Sequence, residues 1–149
     1  AALLHDIGKL AISSRILDKP GKLEPDEFEI MKQHAVIGYR ILHDSSSRVL
    51  RCGAVIAHSH HEKFDGSGYP RGLVGHEIPF EGRLAAVADV FDALTTDRVY
   101  REAFLVPDAL KIMRDGRGTH FDPDLLDGFL DVVDLILETK EEVGEKYAA

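Results

Sequence analysis

The chain has 149 residues, 44% hydrophobic and 30% charged, with a formal net charge of −8 from 18 basic and 26 acidic residues. That length suits one domain, and the acidic balance argues against a broad DNA- or RNA-binding face. One cysteine, Cys52, excludes an intramolecular disulfide framework and fits a reducing compartment such as the cytoplasm, and no apolar run reaches the roughly 18 residues of a membrane span.

The chain opens on A-A-L-L-H-D-I-G-K, an apolar, helix-like run with no cap. It reads as the last turns of a helix, Leu3 to Ile7, stopped near Gly8, and suggests a fragment of a longer chain. Ile12 to Leu23 contains Pro20 and Gly21 and reads as loop with one short turn. Pro25 to Leu42 is a helix. Pro25 suits the first turn, Asp26, Glu27 and Glu29 favour the positive N-terminal end, and Phe28, Met31, Ala35, Ile37 and Ile41 form an apolar stripe. Ser45 to Ser47 break it, and Arg48 to about His60 forms the next helix.

Phe64 to Phe80 reads as loop. Glu81 to Thr95 is the most apolar helix, with Leu84, Val87, Ala88, Phe91 and Leu94 at helical spacing. Pro107 to Arg114 is another, ended by Gly116 and Gly118. Asp122-Pro123 reads as N-cap and first residue of a last helix carrying Leu125, Leu126, Phe129, Leu130, Val133 and Ile136. The charged tail from Lys140 is expected to fray. No β-branched run alternates, so the expected class is all-α, a helical bundle.

Several residues on this frame can carry chemistry. His5-Asp6 pairs an imidazole and a carboxylate at a helix end, where both can face one centre; alone, such a dipeptide also occurs as plain surface. Lys9 is either a point charge for a phosphate or a solvated lysine. His34 lies mid-helix beside Met31, Ala35 and Ile37, as a ligand or a hydrogen-bonded core residue. His60-His61 sits at a helix end, where both rings can converge; His58 points roughly the other way and reads as structural.

Asp89 lies in L-A-A-V-A-D-V-F-D-A-L, a helix expected to be largely buried. A buried carboxylate needs a cation, a cap or a metal. Asp92 shares nearly the same face, and pairing with Arg83 or Arg98 is the alternative for Asp89. Together His5, Asp6, His34, His60, His61 and Asp89 offer nitrogen and oxygen ligands without thiolate. That set suits iron, manganese or zinc, and six groups fit two bridged metals better than one zinc.

The motifs H-D-I-G-K at 5–9, H-H-E-K-F-D-G-S-G-Y-P at 60–70, G-L-V-G-H-E-I-P at 72–79, A-D-V-F-D-A-L-T-T-D-R-V-Y-R at 88–101 and G-T-H-F-D-P at 118–123, with the His34 helix, together resemble the HD-GYP domain. The resemblance runs from Leu3 to about Phe129, and the order and spacing of the motifs make it specific. It implies an HD-type helical bundle over residues 1–149, lacking the family's first helices. It also implies a metal-dependent phosphodiesterase that hydrolyses cyclic di-GMP to the linear dinucleotide or GMP at a binuclear or trinuclear centre.

On that resemblance the six residues above are the metal ligands, and Asp6 and Lys9 are catalytic, Lys9 contacting the phosphate. Gly68, Tyr69 and Pro70 form the signature loop, with Tyr69 near a guanine, and Arg98 and Arg101 hold the far side of the substrate. The family's full-length chains often carry a sensory or receiver domain and bind protein partners through the signature loop. Two departures stand out: the upstream histidine ligand is absent from this chain, and Val99 stands where proline is usual. The rival readings are a cyclic di-GMP sensor that does not cut, and a phosphohydrolase acting on another nucleotide.

Overall fold

The computed structural model describes residues 2–97 and 102–139. Within them the protein is all-α. The chain enters through two 3-10 turns, Ala2–Leu4 and Ile7–Ala11, followed by α1 (Ser14–Leu17), α2 (Pro25–Leu42), α3 (Arg48–Ser59), a 3-10 turn at Gly75–Glu77, α4 (Phe80–Thr95), α5 (Val106–Asp115) and α6 (Pro123–Asp131). The chain is helical again over residues 133–139. Two isolated bridges, Asp65 with Val74 and Arg117 with Phe121, are the only strand-like pairings among the described residues. No described helix is long and apolar enough to cross a membrane. Residues 140–149, expected to fray, and Arg98 to Arg101 lie outside the described residues.

Local chemistry explains the helix ends. Pro25 opens α2, and the Glu27 carboxylate accepts the Glu24 backbone N–H at 2.8 Å, satisfying a donor the helix cannot pair. The Asp122 carboxylate caps α6 by accepting the Asp124 N–H at 2.9 Å. The same side chain is buried and receives Arg83 of α4. Arg83 also donates to the Ile78 carbonyl at 3.0 Å. One guanidinium thereby ties the loop before α4 to the start of α6.

The core has two parts. Val87, Phe91 and Leu94 of α4 pack with Ala109 and Met113 of α5, and with Phe121, Leu126 and Val133. On the other side α2 packs against α3 and both meet the entry turns. There Leu42 and Ile56 are buried beside small residues, Ala35, Gly38, Gly53, Ala54 and Ala57. Small side chains let backbones approach, and this half of the molecule is where the imidazoles lie.

The entry segment departs from the expected end of an α-helix. A turn at His5 and Asp6 separates two 3-10 stretches. The cause is Gly8, which is pressed against α2. A Cβ there would lie 1.9 Å from the His34 carbonyl oxygen and 2.6 Å from the Gly38 nitrogen. Glycine is needed for close approach rather than to stop a helix. That approach brings Asp6 next to His34.

Candidate metal centre

Four elements each deliver part of a polar cluster. The entry turn supplies His5 and Asp6, α2 supplies His34, the end of α3 supplies His60 and His61, and α4 supplies Asp89. Asp6, His34, His60 and His61 each present one ligand atom, all within 4.8 Å of one another. Asp6 Oδ1 faces His34 Nε2 at 3.5 Å and His60 Nε2 at 3.8 Å, and those two nitrogens are 3.5 Å apart. The other carboxylate oxygen, Oδ2, lies 3.4 Å from His5 Nε2 and 2.6 Å from Lys9 Nζ. His5 Nε2 is also 3.4 Å from Asp89 Oδ1. The six candidates therefore divide into two groups that share one carboxylate.

Backbone carbonyls orient the rings. His34 Nδ1 lies 2.6 Å from Met31 O, His5 Nδ1 lies 2.8 Å from Ala2 O, and His60 Nδ1 lies 3.1 Å from both Ile56 O and Ala57 O. A carbonyl only accepts, so each Nδ1 must carry a proton, and in the neutral ring Nε2 is left with its lone pair toward the centre. This is the outer arrangement that orients metal-binding histidines.

The electrostatics agree. Burial pushes His60 down to about 4 and His61 down to about 3, and lowers His34 as well, so all three rings are neutral near pH 7. His5 behaves oppositely: its hydrogen bonds with Asp6, then Asp89, push it up to about 10. For Asp6, burial raises the pKa, but His5 and Lys9 outweigh it and hold the carboxyl below its usual range. His5 likewise lowers Asp89. Without a metal, a proton on His5 holds the two carboxylates together.

One atom tests whether a metal suits this cluster. Asp6 Oδ1 is buried and has no hydrogen-bond partner. An orphaned anionic oxygen is costly, and it points at two imidazole nitrogens that are themselves acceptors when neutral. A divalent cation satisfies all three together, so the donor set fits one.

Asp89 differs from expectation. It is partly exposed, with 32% of its side chain accessible, because its face of α4 is open. A cavity of about 190 Å³ lies there, bordered by Leu3, His5, His60, Ala88, Asp89 and Asp92. The periodicity of α4 marks an apolar helix but cannot say which stripe its neighbours cover. Of the two anticipated arginine partners, Arg83 binds Asp122 instead, and Arg98 lies outside the described residues, as does Arg101. Asp92 accepts the Thr96 hydroxyl at 3.1 Å.

The signature loop forms one wall. Tyr69 stacks on His61, with ring centroids 4.6 Å apart and planes at 29°, and its edge meets Phe28 at 6.0 Å. Gly68 lies flush on the chain beneath: a Cβ there would be 2.2 Å from the Lys63 nitrogen. Pro70 follows through a cis peptide bond. A second hollow, bordered by Asp6, Lys9, Leu10, Ile12 and Leu17, opens beside the cluster. Glu62, which sequence reasoning passed over, is buried immediately after the histidine pair. Its signal was a carboxylate next to a glycine-rich loop whose backbone N–H groups need acceptors.

Comparisons with known proteins bear on the family and the fold. The HD domain family model matches residues 1–125. The chain is 53% identical over 130 residues to the cyclic di-GMP phosphodiesterase response regulator RpfG of Xanthomonas campestris pv. campestris, covering 87% of this chain and 34% of that protein. It is 48% identical over 146 residues to a cyclic di-GMP phosphodiesterase of Thermotoga maritima, covering 95% and 40%. The chain thus spans roughly a third to two fifths of these relatives' length. A cyclic GMP-AMP-specific phosphodiesterase of V. cholerae (V-cGAP3) shares the fold, with a TM-score of 0.63 at 20% identity over 99% of this chain and 39% of that one.

Proposed function

The chain belongs to the HD domain family, and from that premise we propose that it is a metal-dependent phosphodiesterase that hydrolyses cyclic di-GMP. The observation that carries this reading is the Asp6 carboxylate. One oxygen is orphaned before the Nε2 atoms of His34 and His60, and the other is shared by His5 and Lys9. A single carboxylate between two nitrogen-and-oxygen donor groups suits a bridging ligand.

In this reading Asp6, His34, His60 and His61 would hold one divalent ion, and His5, Asp6 and Asp89 would hold a second. Iron or manganese suits the donors best, and zinc is also compatible. Such ions, when bound, lower the pKa of a water toward neutrality and draw charge from the phosphoryl oxygens.

The chain's own residues do the rest. Lys9 stands at the rim beside Asp6, where its side chain can meet a phosphoryl oxygen as negative charge builds. His34 and His60, held by backbone carbonyls, keep their lone pairs aimed inward. Tyr69 offers a ring face for a purine beside the centre, with Gly68 and Pro70 shaping its loop. Arg98 and Arg101 are assigned to the far side of the substrate on the strength of the motif alone.

The two relatives are named for this activity, and the larger of the two unmatched portions belongs to a response regulator. We assign residues 1–149 to one catalytic domain working with a regulatory segment in the cytoplasm, where Cys52 stays reduced. The test is Asp6→Ala. Removing the shared ligand should lower cyclic di-GMP turnover more than a hundredfold, beyond the roughly 10- to 100-fold typical of residues behind the ligands. A folded variant that cleaves at the parent rate overturns the reading. Running 3'3'-cGAMP alongside shows whether the site prefers two guanines.

A further inference from the structure

Glu62 is the buried ionisable group that the catalytic reading leaves unused. Its side chain is fully enclosed, yet it directly follows His60 and His61. Its two oxygens are spoken for separately: Oε1 accepts the Arg71 backbone N–H at 2.8 Å, and Oε2 accepts the Leu73 backbone N–H at 3.0 Å. The Arg71 guanidinium, 3.9 Å away, is the charged partner. Both oxygens are engaged by the loop backbone, and Glu62 is not among the residues whose ligand atoms converge with Asp6, His34, His60 and His61. A buried carboxylate is costly, and this one is held entirely by the loop that carries Tyr69.

The loop is fixed on both sides of Tyr69. Before it, Gly68 lies against Glu62 Cα, where an added Cβ would come within 2.5 Å. The Tyr69 N–H itself donates to the His61 carbonyl at 3.1 Å. After it, Glu62 takes the N–H groups of Arg71 and Leu73. Tyr69 and Pro70 are thus suspended between anchors on His61 and Glu62, and the ring rests on His61.

We propose that Glu62 is a positioning residue: its carboxylate clamps the 71–73 backbone so that Tyr69 is held over His61, preset to receive the substrate's base. This rests on the phosphodiesterase reading for what Tyr69 receives, but not for the clamp itself. The chemistry demands a carboxylate. Here each N–H meets its own oxygen, and a carboxamide would set an N–H donor against one of the two.

Glu62→Gln keeps the volume and breaks half of the clamp. The experiment compares parent, Glu62→Gln, Tyr69→Ala and the double variant by amide hydrogen exchange, bound metal, and kinetics with cyclic di-GMP. In Glu62→Gln, the Arg71 and Leu73 amides should exchange faster while metal content stays at the parent level. KM for cyclic di-GMP should rise roughly tenfold or more, the scale of a lost buried hydrogen bond, with a smaller change in kcat. In the Tyr69→Ala background the same substitution should raise KM no further, since its effect passes through that ring.

Unchanged exchange at both amides overturns the clamp. So does loss of metal, which would make Glu62 a support of the metal centre instead. A KM penalty that adds in full to that of Tyr69→Ala overturns the route through the ring. If the parent does not cleave cyclic di-GMP, the phosphodiesterase reading fails separately, and hydrogen exchange still decides the clamp.

Discussion

Each imidazole in the cluster has its state set by its immediate surroundings, and the consequence is a defined pH response. In the metal-free protein, burial holds His60 near 4 and His61 near 3. Below about pH 6.5 the unfolded chain takes up protons on these residues that the folded chain refuses. Their effect is a loss of stability as pH falls from about 6.5 toward 4. His5 has the opposite sign. Raised to about 10, it contributes fully below about 6.5, and that contribution fades as pH rises through 10. The lowered pKa of Asp6 and Asp89 stabilises above the normal carboxylate range and is lost in acid. Urea titrations of the metal-free chain should therefore show maximal stability near neutrality, falling on both sides. In His5→Gln the alkaline fall should shrink while the acid limb persists. An alkaline limb unchanged by that substitution would contradict the His5 pairing.

At the scale of elements, two contacts hold the geometry and predict different failures. Gly8 is pressed onto α2, so Gly8→Ala has no room and must push the Ile7–Ala11 turn outward. Overpacking of this kind costs about 1–3 kcal/mol, and here it should also displace Asp6, lowering both Tm and bound metal. Asp122 lies on the opposite core. Asp122→Ala removes the α6 cap and leaves Arg83 without its buried partner, a loss of about 3–5 kcal/mol. It touches no candidate ligand, so whatever fraction remains folded should keep its metal. Thermal melts with metal analysis separate the two: a Gly8→Ala protein of parent stability and full metal content would contradict the close approach. These elements also show what a sequence can reveal. The caps at Pro25 and Asp122 are local signals and are legible, whereas the expected apolar stripe of α2 is not the buried one: His34, Ala35, Gly38 and Leu42 face inward, and Phe28 and Ile41 are exposed. The 3-10 character of the entry is not legible, because it follows from Gly8 meeting a carbonyl 26 residues away in sequence. The exposure of Asp89 is likewise a tertiary outcome: it sits in an apolar helix, yet its side of that helix is only partly covered by the described residues.

Over the whole molecule, four separate elements converge on one carboxylate. The type of each side chain was readable, since buried histidines and an aspartate without thiolates point to a hard or borderline metal. Their division into two groups was not, because it depends on which oxygen of Asp6 faces which ring. Glu62 left only a faint signal, a carboxylate beside a glycine-rich loop: its partners are the Arg71 and Leu73 backbone N–H groups, which side-chain identity does not name. The proposed function turns on Asp6 as the ligand that two metal ions would share. An anomalous-scattering map of crystals grown with manganese tests it most directly. It should show two peaks flanking the Asp6 carboxylate, one toward His34, His60 and His61 and the other toward His5 and Asp89. A single peak that leaves His5 and Asp89 unligated, or no peak at Asp6, would contradict it.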